Sequence, residues 1–445
     1  MELLEGTVRD YAWGSPSGIP EILGRTPDGT PVAELWLGAH PQGPAAVRGR
    51  EGVDLHTLIG EDPGRLLGAE VLERYGPRLP FLLKLLSART ALSIQTHPSL
   101  TQARAGFAAE EAAGIPRDAP GRSYRDAWHK PELVCALTEF HALCGFRPLR
   151  ALRATVERFR AVADSLPGRE AQALEDWWLL LDPAATSAEA GERFTLERTL
   201  AALLGERERY GALADALADS SLGEAPADHA SREGTCTDPL VTLRETNRDF
   251  RTDPGALVAV MLRRFRLEPG ECLALEAGVM HAYLGGLAVE IMASSDNVLR
   301  GGLTSKHIDV EELRRTALFS TAAPRVQRAV GGSELRGSTD DFALTVVDTR
   351  HAEGGGPSAP EVLSRPGPDD PRDRELGRAP QVLSRPGPLI LLCTEGEFSV
   401  TVPEASGTGP SQLALGRGDA VFVGADEPRP AVRGTGLLFA ASTAL

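Results

Sequence analysis

Lysine is almost missing from this sequence. Of its 47 basic residues only three are lysines, Lys84, Lys130 and Lys306. At an exposed position arginine serves as well as lysine. A compositional drift toward arginine should therefore have replaced the lysines on the surface. We therefore expect these lysines where a compact ammonium is needed rather than a planar guanidinium, with chance survival as the alternative.

Long hydrophobic runs and closely spaced pairs of cysteines are missing as well. The most apolar stretch, 79–86, is interrupted by Lys84 and is too short to cross a membrane. The first residues, Met-Glu-Leu-Leu-Glu, lack the cationic flank of a secretory signal. The five cysteines are Cys135, Cys144, Cys236, Cys272 and Cys393. They form no CxxC motif, so we expect free thiols in a reducing compartment and a cytoplasmic protein.

Positive charge is also in deficit, since the formal net charge is −15. This balance argues against a nucleic-acid partner and against an anionic membrane surface. A length of 445 residues favours about three domains, and 42% hydrophobic residues are enough for ordinary cores. We expect a monomer or a weak homodimer.

Hydrophobic periodicity divides the chain into three regions. Strand-like runs separated by turns occupy 1–148 and return over 252–318, which predicts one discontinuous catalytic domain. Residues 149–251 carry apolar side chains at helical spacing and predict a helical insert. Residues 319–445 predict a second β domain without metal ligands. The fold class is therefore mainly β with an α insert.

A weak internal repeat supports two related β domains. Residues 266–281 align with 414–429, and each copy has a turn glycine, an acid and then an alternating strand. This hairpin-rich pattern is typical of a double-sheet jelly roll. Where the first copy ends in His281 the second has Arg429, which cannot bind a metal. A tandem duplication within 359–388 predicts a flexible surface loop over 353–388.

Polar residues at strand spacing predict a metal site. Alternate residues of a strand share a face, so Ser93, Gln95 and His97 should point the same way. The predicted ligands are Gln95, His97, Glu132 and His281. Two imidazoles, a carboxylate and an amide oxygen suit a catalytic divalent ion with an open position. Zinc is the first choice, and iron, cobalt or manganese would accept the same donors.

Cations surround these predicted ligands along the chain. Lys84, Lys130, Lys306 and Arg300 all fall in segments that carry the other chemical signals. So many cations near a metal are costly unless an anion joins them, and a phosphate-bearing substrate would supply that anion.

The same segments resemble the signature segments of type I mannose-6-phosphate isomerases. They are Tyr11-Ala-Trp-Gly14, Ala33-Glu-Leu-Trp-Leu-Gly-Ala-His-Pro41, Leu79-Pro-Phe-Leu-Leu-Lys84, Leu92-Ser-Ile-Gln-Thr-His-Pro98, Asp126-Ala-Trp-His-Lys-Pro-Glu132, His281-Ala-Tyr-Leu284 and Ser294-Ser-Asp-Asn-Val-Leu-Arg-Gly-Gly-Leu-Thr-Ser-Lys306. The resemblance covers about the first 318 residues well and the remainder only in outline. It implies a cupin-type catalytic domain with a helical insert, followed by a second cupin-like domain.

The resemblance also implies an activity and roles for residues. It implies interconversion of D-mannose 6-phosphate and D-fructose 6-phosphate through a cis-enediol, linking glycolysis to mannose and GDP-mannose metabolism. The implied roles are zinc binding by Gln95, His97, Glu132 and His281, phosphate binding by Ser93, Lys84 and Lys306, and contact of Arg300 with the reacting carbons.

The base that moves the proton between C2 and C1 stays open. Glu290 is the first candidate because it shares a strand region with His281 and is not a predicted ligand. A salt bridge from Glu290 to Arg300 is the alternative for that residue. Lys130 or His129 can serve instead, Lys130 if burial and the metal lower its pKa.

Two other classes of function fit parts of the pattern. A cupin-type sugar or metal sensor would bind a phosphosugar without turnover. An iron-dependent oxygenase would use the two histidines and the carboxylate, but it leaves Gln95 and the lysines without a purpose.

Overall fold

The computed structural model describes residues 1–182, 188–224, 238–329, 331–350, 381–383, 387–403 and 411–445. Most of the duplicated segment 359–388 and of the predicted loop 353–388 lies outside these residues. The described chain forms two compact units. The first comprises Met1–Arg9, Pro16–Lys84 and Arg328–Leu445, and the second comprises Asp10–Ser15 and Leu85–Gln327. The three-domain division stays a prediction.

Strands form the framework of both units. In chain order the described strands are β1 (Glu2–Glu5), β2 (Thr7–Arg9), β3 (Glu34–Leu37), β4 (Ala46–Val47), β5 (Phe81–Ala88), β6 (Ile94–Thr96), β7 (Glu132–Ala136), β8 (Phe140–Phe146), β9 (Leu262–Leu267), β10 (Glu271–Leu275), β11 (His281–Ala293), β12 (Leu299–Gly302), β13 (Val326–Arg328), β14 (Ser333–Leu335), β15 (Ala343–Asp348), β16 (Gln381–Val382), β17 (Leu389–Val402), β18 (Ser411–Gly416), β19 (Ala420–Val423) and β20 (Ala431–Ser442).

Helices are concentrated between β8 and β9. In chain order the described α-helices are α1 (Gly18–Ile22), α2 (Leu55–Glu61), α3 (Pro63–Leu67), α4 (Ala69–Tyr75), α5 (Leu100–Ala112), α6 (Leu149–Arg160), α7 (Gly168–Leu180), α8 (Ala188–Gly205), α9 (Arg207–Ala218), α10 (Pro239–Asp249), α11 (Gly255–Met261) and α12 (Val310–Thr316). None of the helices in these described ranges is both long and apolar enough to span a bilayer. The chain is mainly sheet with helices, as its periodicity predicts.

The first unit is built on an antiparallel sheet with strand order β14-β15-β20-β17-β19-β1-β4, to which β16 and β18 add at β20 and β17. Its core lies on alternate residues of the long strands β17 and β20, such as Leu391, Val400 and Leu438. The alternation of buried and partly exposed residues is seen at the end of β17, over 398–402, whereas residues 389–394 are buried on both faces.

The second unit combines a sheet with the helical segment. Strands β13, β10, β7, β11 and the end of β5 are neighbours in that order, and β6 and β8 also pair with β11. Thirteen-residue β11 thus contacts four other strands, which makes it the central element of the unit. Helices α6 to α11 share one core with the sheet, in which Trp177, Tyr210 and Phe146 are buried.

Several local features agree with the sequence predictions. Ser99 caps α5 in a capping box with Gln102, as its spacing indicates. The two copies of the internal repeat have matching turns, because Gly270 and Gly418 both adopt left-handed φ angles, 84° and 88°. A Cβ at either position would be strained, so glycine is required at both turns.

The cysteine prediction is wrong for one pair. Cys135 on β7 and Cys272 on β10 form a disulfide, and the two residues are direct partners in the antiparallel ladder. The two cysteines are 137 residues apart in sequence. The sequence therefore does not indicate that they pair, and only the formation of the sheet brings them together. Cys144 and Cys393 are free and buried, and Cys236 lies outside the described residues.

Candidate metal centre

Three adjacent strands of the second unit place predicted site residues side by side. Gln95 on β6 is the register partner of His281 on β11 and also of Arg300 on β12. Direct partners in antiparallel strands project from the same face of a sheet. His281, Gln95 and Arg300 therefore form a row across the sheet. Ser93 lies just before β6 and His97 just after it.

Glu132 joins this row from a fourth strand. It opens β7 and pairs with Met292 of β11 and Leu275 of β10. Its carboxylate oxygens lie 3.2 Å from His97 Nε2 and 3.5 Å from His281 Nε2. The three side chains are buried, and one ligand atom of each lies within 4.8 Å of the others. Two histidines and a carboxylate thus converge on one point inside the unit.

Hydrogen bonds fix the orientation of both imidazoles. His97 Nδ1 lies 2.6 Å from the carbonyl oxygen of Asn297, and His281 Nδ1 lies 2.9 Å from that of Val279. A carbonyl only accepts, so Nδ1 carries the proton in each ring. In a neutral imidazole Nε2 then presents a lone pair, and neither Nε2 has a hydrogen-bond partner.

The donor set therefore fits a cation. Two lone pairs face a carboxylate at short range, an arrangement that repels itself unless a positive charge lies between the groups. The backbone carbonyls at Nδ1 are the outer contacts that metal-binding histidines normally have. A mixed set of nitrogen and oxygen donors suits a borderline ion such as zinc.

The protonation of the centre agrees with this interpretation. Burial, together with the positive charge of Lys130, lowers the pKa of His97 to about 4, so the ring is neutral near pH 7. Burial alone would raise the pKa of Glu132, but the positive charge of Lys130 holds it well below its usual range. The centre thus offers a neutral imidazole at His97 and an ionised carboxylate at Glu132, the states that a metal requires.

Two further predicted residues contact Glu132, directly or through a neighbour. Lys130 Nζ lies 3.1 Å from a carboxylate oxygen of Glu132. The Tyr283 hydroxyl donates to Glu290 at 2.8 Å and lies 3.4 Å from Glu132. Burial and the two carboxylates raise the pKa of Tyr283 well above its usual value, so the hydroxyl keeps its proton and bridges them.

A group of cations lies beside the metal centre. Burial and the neighbouring Arg125 lower the pKa of Arg300. Burial, Arg300 and Arg125 lower the pKa of Lys306 in the same way. Within the described residues these three side chains have no carboxylate partner. Mutually repelling cations without counter-ions have the charge to accept an anion, and phosphate binding here stays a prediction.

Lys84 has a different environment in the first unit. Its Nζ lies 3.7 Å from a carboxylate oxygen of Glu34 and 5.4 Å from the ring centre of Trp36. The Trp36 indole in turn donates to Glu34 at 2.8 Å. Lys84 is therefore a buried lysine with an acidic neighbour, and its role in phosphate binding stays a prediction.

Sequence reasoning missed three residues of this neighbourhood. Arg125 is one of 44 arginines, so composition gives it no prominence. Tyr283 and Asn297 lie in motifs that were selected for other residues, His281 and Arg300. The strand pairing that brings them to Glu132 and His97 spans more than 140 residues, and no local pattern predicts it.

Comparisons with known proteins agree on one family. A family model described as phosphomannose isomerase type I, catalytic domain, matches residues 1–149. The mannose-6-phosphate isomerase of Escherichia coli (strain K12) is 35% identical over 450 residues, which cover 98% of each chain. The mannose-6-phosphate isomerase of Rattus norvegicus is 31% identical over 438 residues, 95% of this chain and 93% of the rat chain.

Solved structures give the same result. A glutamate-to-alanine variant of phosphomannose isomerase from Salmonella typhimurium is similar with a TM-score of 0.79 and 32% identity over 100% of both chains. The mannose 6-phosphate isomerase of the same organism, bound to the substrate fructose 6-phosphate and to zinc, has a TM-score of 0.76 and 31% identity over 100% of both chains.

Proposed function

Because the chain belongs to the mannose-6-phosphate isomerase family, we propose that it interconverts D-mannose 6-phosphate and D-fructose 6-phosphate at the centre of His97, Glu132 and His281. The observation that carries this proposal is the convergence of two imidazole lone pairs and an ionised carboxylate beside a group of unpaired cations. Such a centre can hold both a metal and a phosphorylated substrate.

Zinc is the metal of this site, with His97, Glu132, His281 and Gln95 as the proposed ligands. Zinc-bound relatives and the donor set of this chain both support that assignment. When bound, zinc supplies a Lewis acid that stabilises negative charge on a carbonyl oxygen of the sugar.

Lys306, Arg300 and Ser93 are proposed to bind and orient the sugar phosphate. Lys306 and Arg125 attract the dianion, and Ser93 can donate a hydrogen bond to it. Arg300 lies next to Gln95 in the sheet, so its guanidinium is placed to stabilise charge that develops on the reacting oxygens. Binding and charge stabilisation therefore come from one face of the second unit.

Glu290 is the proposed base that carries the proton between C2 and C1 of a cis-enediol. It is buried away from bulk water, and the Tyr283 hydroxyl fixes one of its oxygens. Lys130 and His129 remain the alternatives, because Lys130 contacts Glu132 directly. In either case the proton moves inside a buried site rather than in solvent.

The wider setting of the enzyme is proposed from the same resemblance. The mainly sheet architecture and the repeated turns at Gly270 and Gly418 support two cupin-like jelly rolls. A cytoplasmic monomer or weak homodimer that connects glycolysis with mannose and GDP-mannose metabolism fits a single reversible step on a phosphosugar. Nucleic acid and membrane partners are not expected with a net charge of −15.

The proposal is tested by an assay that couples fructose 6-phosphate formation from mannose 6-phosphate to a spectroscopic signal. We expect turnover in the zinc-loaded protein, its loss after chelation, and its return when zinc is added back. Turnover that persists after complete chelation would show that the reaction does not need the metal. Full zinc occupancy without turnover would favour a sensor.

A matched pair of variants locates the reaction. His281→Ala should abolish zinc binding and turnover, because it removes one of the converging donors. His141→Ala, on the neighbouring strand β8, removes an imidazole whose partner is Glu139. It should leave both properties close to those of the unmodified protein.

A further inference from the structure

The chain contains only two asparagines, Asn247 and Asn297. Both are buried, and the side chain of Asn297 has no part in the function proposed above. It lies between β11 and β12, where the chain passes from the metal ligand His281 toward Arg300. Its contacts reach both the loop that leads to Glu132 and the imidazole of His97.

The side chain of Asn297 holds the loop 125–128 through its backbone. Its Oδ1 accepts hydrogen bonds from the amides of Arg125 at 2.7 Å and Asp126 at 3.3 Å. Its Nδ2 donates to the carbonyl oxygens of Asp126 and Trp128, each at 2.8 Å. Donors and acceptor of the amide are thus all used, and only an asparagine satisfies this pattern in the buried space.

The main chain of the same residue orients a metal ligand. Its carbonyl oxygen accepts the proton of His97 Nδ1 at 2.6 Å, which directs Nε2 toward Glu132. Such outer contacts determine the ring orientation and the basicity of metal-binding histidines. One residue therefore touches the loop and the ligand at the same time.

The loop that Asn297 holds continues into the other side of the centre. Trp128 is followed by His129, Lys130 and, after one proline, the ligand Glu132. The Ser295 hydroxyl adds a second tie to this loop, with bonds to Asp126 Oδ1 at 2.9 Å and to the Trp128 carbonyl at 3.0 Å.

We propose that Asn297 is a positioning residue that sets the carboxylate of Glu132 against the imidazole of His97 and thereby sets the zinc affinity of the site. This inference rests on the metal-dependent function proposed above. Its side chain holds the Glu132 side through the loop, and its carbonyl holds the His97 side.

The test is Asn297→Asp, which keeps the shape of the side chain and the acceptor for Arg125. It replaces Nδ2 by an oxygen that faces two carbonyl oxygens, so the loop is repelled. Competition between the metal-free protein and a chromophoric chelator measures the zinc affinity. We expect it to fall about 10- to 100-fold, the usual effect of losing an outer contact. With saturating zinc, kcat should fall more than KM rises.

Asn247→Asp is the matched control. Asn247 is equally buried on α10, and its Nδ2 donates to Asp215 at 2.7 Å. Within the described residues, its side-chain hydrogen bonds go to Asp215 and Arg251 and none goes to the metal centre. This variant should lose thermal stability while keeping the zinc affinity of the unmodified protein.

Ser295→Ala provides a milder change in case Asn297→Asp does not fold. It removes the two serine contacts to the loop and also the serine acceptor of the Asn297 backbone amide. The Asn297 side chain keeps its contacts to the loop, so we expect a smaller loss of zinc affinity with the same kcat and KM pattern. Unchanged zinc affinity in the folded variants, or an equal loss in Asn247→Asp, would overturn the proposal. Because this readout needs no turnover, a failure of the isomerase proposal is seen separately.

Discussion

At the scale of single residues, three cations without a carboxylate partner in the described part of the chain lie together at this site. Ion pairs are common elsewhere, and the exposed Arg315 pairs with Glu312 one helical turn away. Arg125, Arg300 and Lys306 instead repel one another, with Arg300 partly buried and Arg125 and Lys306 exposed. A bound phosphate, as proposed for this group, would offset the repulsion.

Lys306→Arg tests whether a compact ammonium is required there. The charge is kept, but the planar guanidinium is larger and needs a different geometry for its donors. We expect KM for mannose 6-phosphate to rise by about three- to tenfold with a smaller change in kcat, as measured by steady-state kinetics. Arg315→Lys on the surface is the control and should change neither constant. Unchanged kinetics in Lys306→Arg would mean that this lysine survived by chance.

The residue types of the site are largely predictable from the sequence, but their neighbours are not. The scarcity of lysine and the strand spacing identify His97, Glu132 and Lys306 as candidates. Their electrostatic partners depend on which strands pair. Tyr283 lies on the part of β11 that pairs with β8, and Glu290 lies on the part that pairs with β7. Their contact therefore depends on strand register, which is a property of the assembled sheet.

At the scale of elements, the start of α11 supports the segment that carries Arg300 and Lys306. Asp253 accepts hydrogen bonds from the amides of Gly255 at 2.7 Å and Thr304 at 3.0 Å. A Cβ on Gly255 would lie 2.3 Å from the backbone nitrogen of Leu303. The helix and the segment after β12 thus meet with no room for a side chain.

Gly255→Ala should therefore push this segment away from the helix. We expect a loss of about 1–3 kcal/mol in the free energy of unfolding, the usual cost of overpacking. KM should rise because Arg300 and Lys306 flank the displaced residues. Urea unfolding and steady-state kinetics measure the two effects.

Gly168→Ala is the control for that substitution. Gly168 also begins a helix, α7, but a Cβ there meets nothing within 4 Å. Its effect on the free energy of unfolding should stay within about 0.5 kcal/mol, because surface changes away from special features are nearly neutral. Equal effects of the two substitutions would contradict the packing argument.

The elements themselves were predicted to different degrees. The capped helix α5 and the helices α6 to α11 follow from 3.6-residue periodicity and from turn residues, which are local signals. The mostly apolar stretch 91–96 has the composition of one buried run, but only Ile94–Thr96 forms a strand. The difference arises because β6 is limited by its partners β11 and β12 rather than by its own composition.

At the scale of the whole molecule, the Cys135–Cys272 disulfide closes a chain segment that contains the entire helical segment. The bond links β7, which starts with Glu132, to β10. Cross-linking distant positions stabilises a fold mainly by restricting the unfolded chain. We therefore expect the disulfide to stabilise the complete second unit rather than one pair of strands.

Urea unfolding with and without a thiol reductant tests that contribution. We expect reduction to lower the free energy of unfolding by roughly 2–4 kcal/mol. The double variant Cys135→Ala/Cys272→Ala should unfold at the same urea concentration in both conditions. If the reductant still lowers the free energy of unfolding of the double variant, the effect does not come from the Cys135–Cys272 disulfide.

The order of the metal ligands along the chain has a consequence for biosynthesis. His97 and Glu132 leave the ribosome early, but His281 follows about 150 residues later, after the helices from α6 to α11. At bacterial or eukaryotic elongation rates this interval is on the order of ten seconds. During that time the nascent chain exposes an imidazole and a carboxylate without their third partner. The complete zinc site therefore forms only late in synthesis. When zinc is scarce at that stage, the chain is finished with its ligands in place but without its metal.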